Sequence, residues 1–516
     1  MTLRSGQEEQ CDLEVGGSLV QPRQGDDRRV VVIGSGPCGA ITASMLVRRG
    51  IPVTLLESGM HVPPAVRVRA MGKTLYRRWP RASARSTAYV ASHDAEALWF
   101  EALAPGGLSN YWTGAVPRFA PEDFTEGERL HERYRWPVGY DDLAPFYERV
   151  ERLLVVEGGS QCVPNLPASA VAHDCHLPRD WAPMAAAAEK FGHGLTPTPL
   201  ANGPRWLLTR SGAPFNSYWR IISRLARSPL FTCVLGAHAL QLEWDGAAKR
   251  VRSVVYCDRT SGEQRRADCA AVVVAGGPLR STKLLLDSTS TDFPEGLGNT
   301  DGMLGRYLHD HAQQVYFAYL DRPLARLAHT VHLTRAPYAE SAPLQAASCT
   351  IGSITLRDKV LAALPTSSTH FGVVSFGTMV PVESNFVRPH REVKDDFGMP
   401  QIDVHIAFDE QVQRTMNAAR DRLIAIFAAA GVRAQLEERI PVLVPGASVH
   451  YGGTVRMHSS PHYGMLNGWN RLHAVSNVVV ADASAFTTGV EKNPTLTAMA
   501  LAMRAADHLA DELKAS

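Results

Sequence analysis

One stretch near the start restricts the fold more than anything else in the chain: RRVVVIGSGPCGAITASMLVRRGIPVTLLESG, from Arg28 to Gly59. Val30 to Ile33 is a short β-branched run, the composition of a strand buried on both faces of a parallel sheet. Gly34, Gly36 and Gly39 follow as G-x-G-x-x-G. Ala40 to Arg49 has helix composition, Gly50 can end that helix, and PVTLLE predicts a second strand finishing at Glu57. The three glycines serve different ends. Gly34 allows the tight turn, Gly36 lets the backbone approach a pyrophosphate closely, and Gly39 lets helix and strand pack together. The helix N-terminus offers unpaired N–H groups and a partial positive charge to phosphate. Glu57 stands about 20 residues beyond the glycines, where a carboxylate accepts hydrogen bonds from an adenosine ribose. An isolated G-x-G-x-x-G says little, but strand, glycines, helix, second strand and acid in this order predict a dinucleotide site. Glu57 argues against a 2′-phosphate on that ribose, hence against NADP, and leaves FAD and NAD open.

The chain around this unit has 516 residues, enough for two to four structural units at roughly 100–200 residues each. A formal net charge of only +2 gives no reason to expect nucleic acid as an obligatory partner. The basic run RVRAMGKTLYRRWPRASAR, residues 67–85, reads as a solvated surface segment, with an anion-binding face as the alternative. Cys11, Cys38, Cys162, Cys175, Cys233, Cys257, Cys269 and Cys349 form no C-x-x-C pair, which argues against a zinc knuckle and for mostly buried thiols in a reducing compartment. Residues 1–27 are polar and lack the apolar core of a secretory signal, so a disordered arm is expected there. No apolar run approaches the ~20 residues needed to cross a bilayer. These features together predict a soluble, cytoplasmic protein with no metal site and no membrane partner.

Further along, APGGLSNYWTGAVPRF sets small and hydroxylic residues beside aromatics, a composition suited to backbone lying against a flat ring. WPVGYDDLAPFYERVERLLVV predicts an amphipathic helix opened by Asp141 or Asp142. FTCVLGAHALQLEWD and VRSVVYCDRT read as two alternating strands, and CAAVVVAGGPLRSTKLLLDS as a buried strand, a turn at Gly276–Gly277 and a helix that extends the same parallel sheet. QAASCTIGSITLRD, HFGVVSFGTMVPVES and PQIDVHIAFD alternate as half-exposed strands do, and EQVQRTMNAARDRLIAIFAAAGV predicts a long helix ending at Gly431. Near the end stand HYGGTVRMHSS, beginning at His450, and EKNPTLTAMALA, with Asn493 before Pro494.

In this order the motifs resemble those of the glucose–methanol–choline (GMC) oxidoreductases, over the chain from about residue 28 onward, and among them those of pyranose oxidases and related glycoside oxidases. The resemblance carries VVIGSGPCGA…LLESG, GGLSNYWTGA, WPVGYDDLAPFYERVE, VVVAGGPLRSTKLLLDS, GLGNTDGMLGRYLHDH, KDDFGMPQIDV, HYGGTVRMH and NVVVADASAFTTGVEKNPTLTAMALAMRAADHL. It implies an α/β fold with a discontinuous Rossmann-like FAD-binding domain, residues 28–160, 226–314 and 446–516. The substrate-binding domain would then be residues 161–225 and 315–445, an antiparallel sheet flanked by helices that roofs the substrate. It implies FAD contacts at Gly34, Gly36, Gly39, Glu57, Ser109, Asn110, Trp112, Thr113, Val234, Gly276, Asp482, Ala483, Asn493, Pro494 and Thr495, with Thr113 approaching flavin N5. Tyr111 stands where several such enzymes carry a histidine bonded to the flavin; tyrosine cannot form that link, so non-covalent FAD is expected.

By the same resemblance His450 and Asn493 are the catalytic pair. A neutral imidazole can take the proton of an alcohol near pH 7, and an asparagine amide can hold the developing alkoxide while hydride passes to flavin N5. Asn493 has a second reading, as a cap of the following helix. His458 departs from the family's glycine and reads as a substrate contact or as support behind the site. His309 and His311 form an H-x-H with no further ligands evident, in a family that uses no metal, and His311 reads as a structural hydrogen-bonder. The resulting expectation is oxidation of a CH–OH group of a sugar, glycoside, aminoglycoside or nucleoside, with O2 or another electron acceptor and with oligomeric state open. A GMC-fold lyase using FAD without net redox, oxidation of a non-sugar alcohol, an NAD-dependent dehydrogenase and a non-catalytic binding module are the competing readings.

Overall fold

The computed structural model describes residues 28–61, 89–91, 99–202, 215–325, 327, 329–353, 370–440 and 444–515. The expected N-terminal arm and the basic run at 67–85 lie outside the described residues.

The opening stretch folds as read. Strand β1 (Val30–Ile33) is wholly buried, a helix spans Pro37–Arg48, and β2 (Val53–Glu57) pairs parallel to β1 with Val30 opposite Val53. The helix begins at Pro37 rather than Ala40, because proline at the first helical position loses no hydrogen bond and arrives with its φ preset. Four of the remaining strands are β3 (Tyr89–Ala91), β4 (Leu195–Pro197), β5 (Phe231–Leu235) and β6 (Ala237–Asp245). β7 (Arg250–Asp258), β8 (Gln264–Asp268), β9 (Ala271–Val274), β10 (Ala312–Leu320) and β11 (Val331–Leu333) follow. The last six are β12 (Ala347–Ser353), β13 (His370–Gly377), β14 (Phe386–Lys394), β15 (Pro400–His405), β16 (Ala434–Ile440) and β17 (Val478–Val480).

Five of them form one parallel sheet in the order β17-β9-β1-β2-β5. VVVI, AVVV and VVV, the sequences of β1, β9 and β17, are buried throughout because helices cover the sheet, including Pro37–Arg48 packed on the C-terminal helix Thr495–Ala515. Since all five strands run the same way, Gly34, Glu57, Leu235, Gly276 and Asp482 reach one edge of the sheet. The strand order reverses around β1, and the crevice outside that edge is where open α/β sheets bind ligands.

A second, antiparallel sheet runs β16-β10-β13-β12-β11-β4. β10 alternates buried and half-buried residues, as a sheet with one covered face requires. The helices Ala182–Lys190 and Glu410–Ala429 close that face over a separate core around Trp181, Phe371 and Phe427. The Asp409 carboxylate caps the second helix by accepting from the Val412 N–H at 2.9 Å.

Two strand expectations need correction. FTCVLGAHALQLEWD is not one strand: Gly236 at φ +73 breaks it, so β5 joins the parallel sheet beside β2 while β6 turns away to pair with β7. PQIDVHIAFD is not part of the roof either; β15 lies in a three-stranded sheet between β14 and β3, parallel to the latter. Alternation shows that one face of a strand is covered, not by which sheet.

Candidate active site

The glycine turn has a closed and an open side. A Cβ at Gly39 would lie 2.1 Å from the Gly34 carbonyl oxygen, and one at Gly34 would lie 2.5 Å from that of Ala275. At Gly36 a Cβ would meet nothing within 4 Å. Two glycines are thus required by the protein's own backbone, and the third faces space. The helix that starts beside it has no side-chain cap on its first turn, so its leading N–H groups are available to an anion. This cradle fits the pyrophosphate of a dinucleotide.

Glu57 closes the next strand end, buried at 5% exposure. One carboxylate oxygen accepts from the Ser35 N–H at 3.0 Å and the Ser35 hydroxyl at 2.5 Å, the other from the Gly59 N–H at 2.6 Å. Burial raises its pKa, opposed by these hydrogen bonds. Ser35 also accepts from the Gly106 N–H at 2.8 Å, docking the first turn on the GGLSN segment. Sequence reading passed over Ser35; its position between two motif glycines was the available signal.

Ser109 donates to the Gly106 carbonyl at 2.6 Å and accepts from the Ser217 N–H at 3.1 Å. Asn110 donates to the Pro105 carbonyl at 3.1 Å and accepts from Asn216 at 2.7 Å. The Trp112 indole donates to the Phe215 carbonyl at 2.7 Å, and Thr113 is exposed. Val234 lies half-buried opposite Leu56, Gly276 is exposed, and Ala483 is half-buried in the turn after β17. Asp482 pins that turn. One of its oxygens accepts from the Gly277 N–H at 3.0 Å and the Ser281 hydroxyl at 2.5 Å, the other from the N–H and hydroxyl of Ser484 at 2.9 and 2.6 Å. Four strand ends distant in sequence are thereby held in one crevice.

His450 and Asn493 meet beneath the roof. The Asn493 amide nitrogen lies 3.0 Å from Nε2 of His450, although 43 residues separate them in sequence. The helix runs from Thr495, and the Pro494 carbonyl accepts from Ala498 at 3.0 Å. The Asn493 side chain therefore turns to His450 and is not the cap of that helix. On its other side, His450 Nδ1 lies 3.0 Å from Nδ1 of His311, whose ring also hydrogen-bonds the backbone of Val490.

These contacts fix the protons. An amide nitrogen only donates, so Nε2 of His450 accepts and Nδ1 carries the hydrogen. That hydrogen goes to His311 Nδ1, leaving the other nitrogen of His311 to donate to the Val490 carbonyl. Burial lowers the His450 pKa to about 3 and holds His311 well below the ordinary value, so both rings are neutral. Sequence reading treated His311 as structural; its contact with His450 could not be read from an H-x-H.

The backbone beneath His450 is clamped. Asp310, buried, accepts from the Gly446 N–H at 2.9 Å, from the Ser448 hydroxyl and from the His450 N–H at 3.3 Å. Val449 just before the histidine sits at φ +61, a left-handed conformation that costs a β-branched residue about 1–3 kcal/mol. The Asp310 bonds hold it there. Gly452 and Gly453 pass so close to residues 307–309 and 483 that a Cβ at Gly453, φ +89, would lie 2.5 Å from the Tyr307 carbonyl oxygen. Both ring nitrogens of His458 are taken by backbone, Nε2 by the Glu132 carbonyl at 3.0 Å and Nδ1 by the Ser460 N–H at 2.9 Å, which makes it scaffold.

Just before Asn493, Lys492 is fully buried between Asp123 at 2.8 Å and Glu491 at 2.7 Å. Arg335 joins Asp123 at 3.2 Å, and the Tyr338 hydroxyl donates to it at 2.9 Å. The lysine and arginine hold the Asp123 carboxyl below its usual range against the desolvation. Two cations and two anions balance, so the approach to Asn493 is fixed by a neutral buried network whose members cannot be removed singly without leaving a buried charge.

The chain thus combines a parallel-sheet crevice whose glycine turn fits a dinucleotide with a His–Asn contact beside an antiparallel sheet. Residues 27–74 match the FAD binding domain family and residues 381–502 the GMC oxidoreductase family. The chain is 29% identical to 6'''-hydroxyparomomycin C oxidase of Streptomyces lividus, over 94% of this chain and 92% of that one. It is 27% identical to C-glycoside 3-oxidase of Microbacterium trichothecenolyticum, over 96% and 98%. Pyridoxine 4-oxidase from Mesorbium loti superposes with a TM-score of 0.64 at 18% identity, covering 93% of this chain and 99% of that one. These similarities show an FAD-dependent oxidoreductase acting on CH–OH donors, with a GMC oxidoreductase match over its C-terminal part. The FAD match removes the NAD reading, and the similarity to oxidases leaves the lyase reading without support.

Proposed function

We propose that this enzyme oxidises a ring or side-chain hydroxyl of a glycoside-like substrate in the cytoplasm, with His450 as base and Asn493 as the group that holds the substrate oxygen. The observation that carries the reading is the 3.0 Å contact between Asn493 and the unprotonated Nε2 of His450. A hydroxyl entering this contact donates to Nε2, and the Asn493 amide donates to the same oxygen as negative charge develops there. His311 keeps the proton on Nδ1 of His450, so that the lone pair stays on the substrate side. Bound FAD supplies the acceptor for the hydride leaving the same carbon. Gly36, Glu57, Gly276, the turn at Asp482 and Ala483, and the GGLSNYWTG segment would hold it without a covalent bond, since Tyr111 offers no histidyl link. The glycoside preference follows the two relatives named above. The division into a discontinuous FAD domain and a substrate domain, at the boundaries given from sequence, is part of the same proposal.

A panel of sugars, glycosides, aminoglycosides and nucleosides, added anaerobically and scored by bleaching of the flavin band, tests it. At least one glycoside should bleach the wild type. His450→Ala should retain FAD and slow the bleaching by about 10²–10⁴-fold. Bleaching at an unchanged rate in that variant would remove His450 from the chemistry. Admission of oxygen, against an artificial dye, then identifies the electron acceptor.

A further inference from the structure

We propose that Glu157, Cys175 and His329 form a binding site for one borderline-soft divalent cation, zinc foremost, on the flank of the roof away from the His450 pair's own contacts. Their ligand atoms all lie within 4.8 Å of one another. Nε2 of His329 donates to the Thr198 carbonyl at 2.6 Å, which leaves Nδ1 as the nitrogen that can ligate. That nitrogen faces an oxygen of Glu157 at 4.0 Å, too far for a hydrogen bond. The two donor atoms face each other without a direct hydrogen bond, an arrangement that a cation between them would use. The bond from the distal ring nitrogen to a backbone carbonyl is the support that metal-bound histidines ordinarily have.

Glu157 and the residues flanking Cys175 and His329 lie on paired backbone. The Glu157 N–H and carbonyl both bond Leu200, each at 2.9 Å. Gly158 N–H reaches the His173 carbonyl at 2.9 Å, His173 N–H the Val156 carbonyl at 2.8 Å, and Thr198 N–H the Thr330 carbonyl at 2.9 Å. Zinc holds N, O and S ligands at about 2.0–2.3 Å, which puts ligand atoms roughly 3.3–3.7 Å apart in a tetrahedron. One nitrogen, one sulfur and one oxygen donor suit zinc better than calcium or magnesium. Glu157 and His329 are 23% and 14% exposed, which leaves an entry path and a fourth position for water.

The same paired backbone continues to the flavin side of the molecule. The Ala201 N–H donates to the Gly114 carbonyl at 2.7 Å and the Val116 N–H to the Pro199 carbonyl at 2.8 Å, next to Thr113. A cation joining residues 157, 175 and 329 would therefore brace the segment that carries Thr113. Its role is structural, and it is independent of what His450 does.

The test uses the FAD-loaded enzyme without a histidine tag, equilibrated with zinc chloride, desalted and assayed for metal by mass spectrometry. The wild type should hold about one zinc per chain, and Cys175→Ser and His329→Gln less than about a tenth of that with flavin content unchanged. Cobalt(II) in place of zinc should give thiolate–cobalt ligand-field bands to the red of the flavin absorption in the wild type, a readout that needs no variant to fold. Less than about a tenth of an equivalent of zinc in the wild type, an equivalent persisting in both variants, or cobalt without those bands would overturn the site.

Discussion

At the scale of single residues the site turns on where protons sit. Desolvation lowers the pKa of half-buried His450 to about 3, so the proposed base keeps its accepting form far below neutrality. An imidazole of ordinary pKa, about 6.5, would be only about 3% neutral at pH 5. The anaerobic rate of flavin reduction should therefore change by less than about twofold between pH 8 and pH 5. A fall of about 30-fold with an apparent pKa near 6.5 would mean that His450 titrates as if exposed. Replacing His311 by alanine frees the His450 proton to move to Nε2 and should slow reduction by at least about tenfold while FAD stays bound. His450 and Asn493 were paired in sequence through the resemblance of their motifs to those of GMC enzymes, not by local pattern alone, and the fold brings the two side chains to 3.0 Å. His311 and Ser35 act through partners that only folding brings near. Their types were visible in the chain and their neighbours were not.

At the scale of elements, strand and helix signals placed the nucleotide unit well because every requirement there is local: a β-branched run, a turn, a helix, an acid. The glycines of that turn make a prediction that separates fold from cofactor. Gly39→Ala drives a methyl group onto the Gly34 carbonyl and should destabilise the apo-protein by several kcal/mol, by about 3 or more, seen as a lower melting temperature without FAD. Gly36→Ala meets only open space within the protein. It should leave the apo-protein melting temperature within about 2 °C of wild type and weaken FAD binding at least about tenfold, measured by titration of apo-protein. Equal melting losses in the two variants would show that Gly36 is a packing glycine like its neighbour. Where elements were misassigned, the deciding contacts are distant. β5 is claimed by β2 across residues 57 to 231, and β15 by β3 across an even longer span; no window along the chain contains either pairing.

At the scale of the whole molecule, burying uncharged histidines ties stability to pH. His238, His332 and His450 have pKa values lowered to about 3 and His309 to about 4, each chiefly by desolvation, and His311 is held well below its ordinary value. Unfolding returns all five to an ordinary pKa near 6.5. Above pH 6.5 neither state binds their protons, and stability is at its full value. As pH falls below 6.5 the unfolded chain takes up protons that the folded chain refuses until about pH 3–4, so each such histidine costs up to about 1.4 kcal/mol per pH unit. Asp310 and Asp287 work in the opposite sense. Burial raises both to about 6, so between about pH 6 and 4 the folded state binds the protons the unfolded chain lacks. Burial raises Glu57 and Asp482 as well, but it also lowers His193 and His458, so the histidines outnumber the carboxyls and leave a net loss. The melting temperature of the FAD-loaded enzyme should be flat from pH 8 to 7 and fall steadily from pH 6.5 toward pH 4.5. His332, on β11 and outside the proposed chemistry, isolates the effect. His332→Asn removes one refused proton, so its melting temperature relative to wild type should improve as pH is lowered from 7 to 5. A difference between the two that stays constant across that range would show that His332 is protonated in the folded protein.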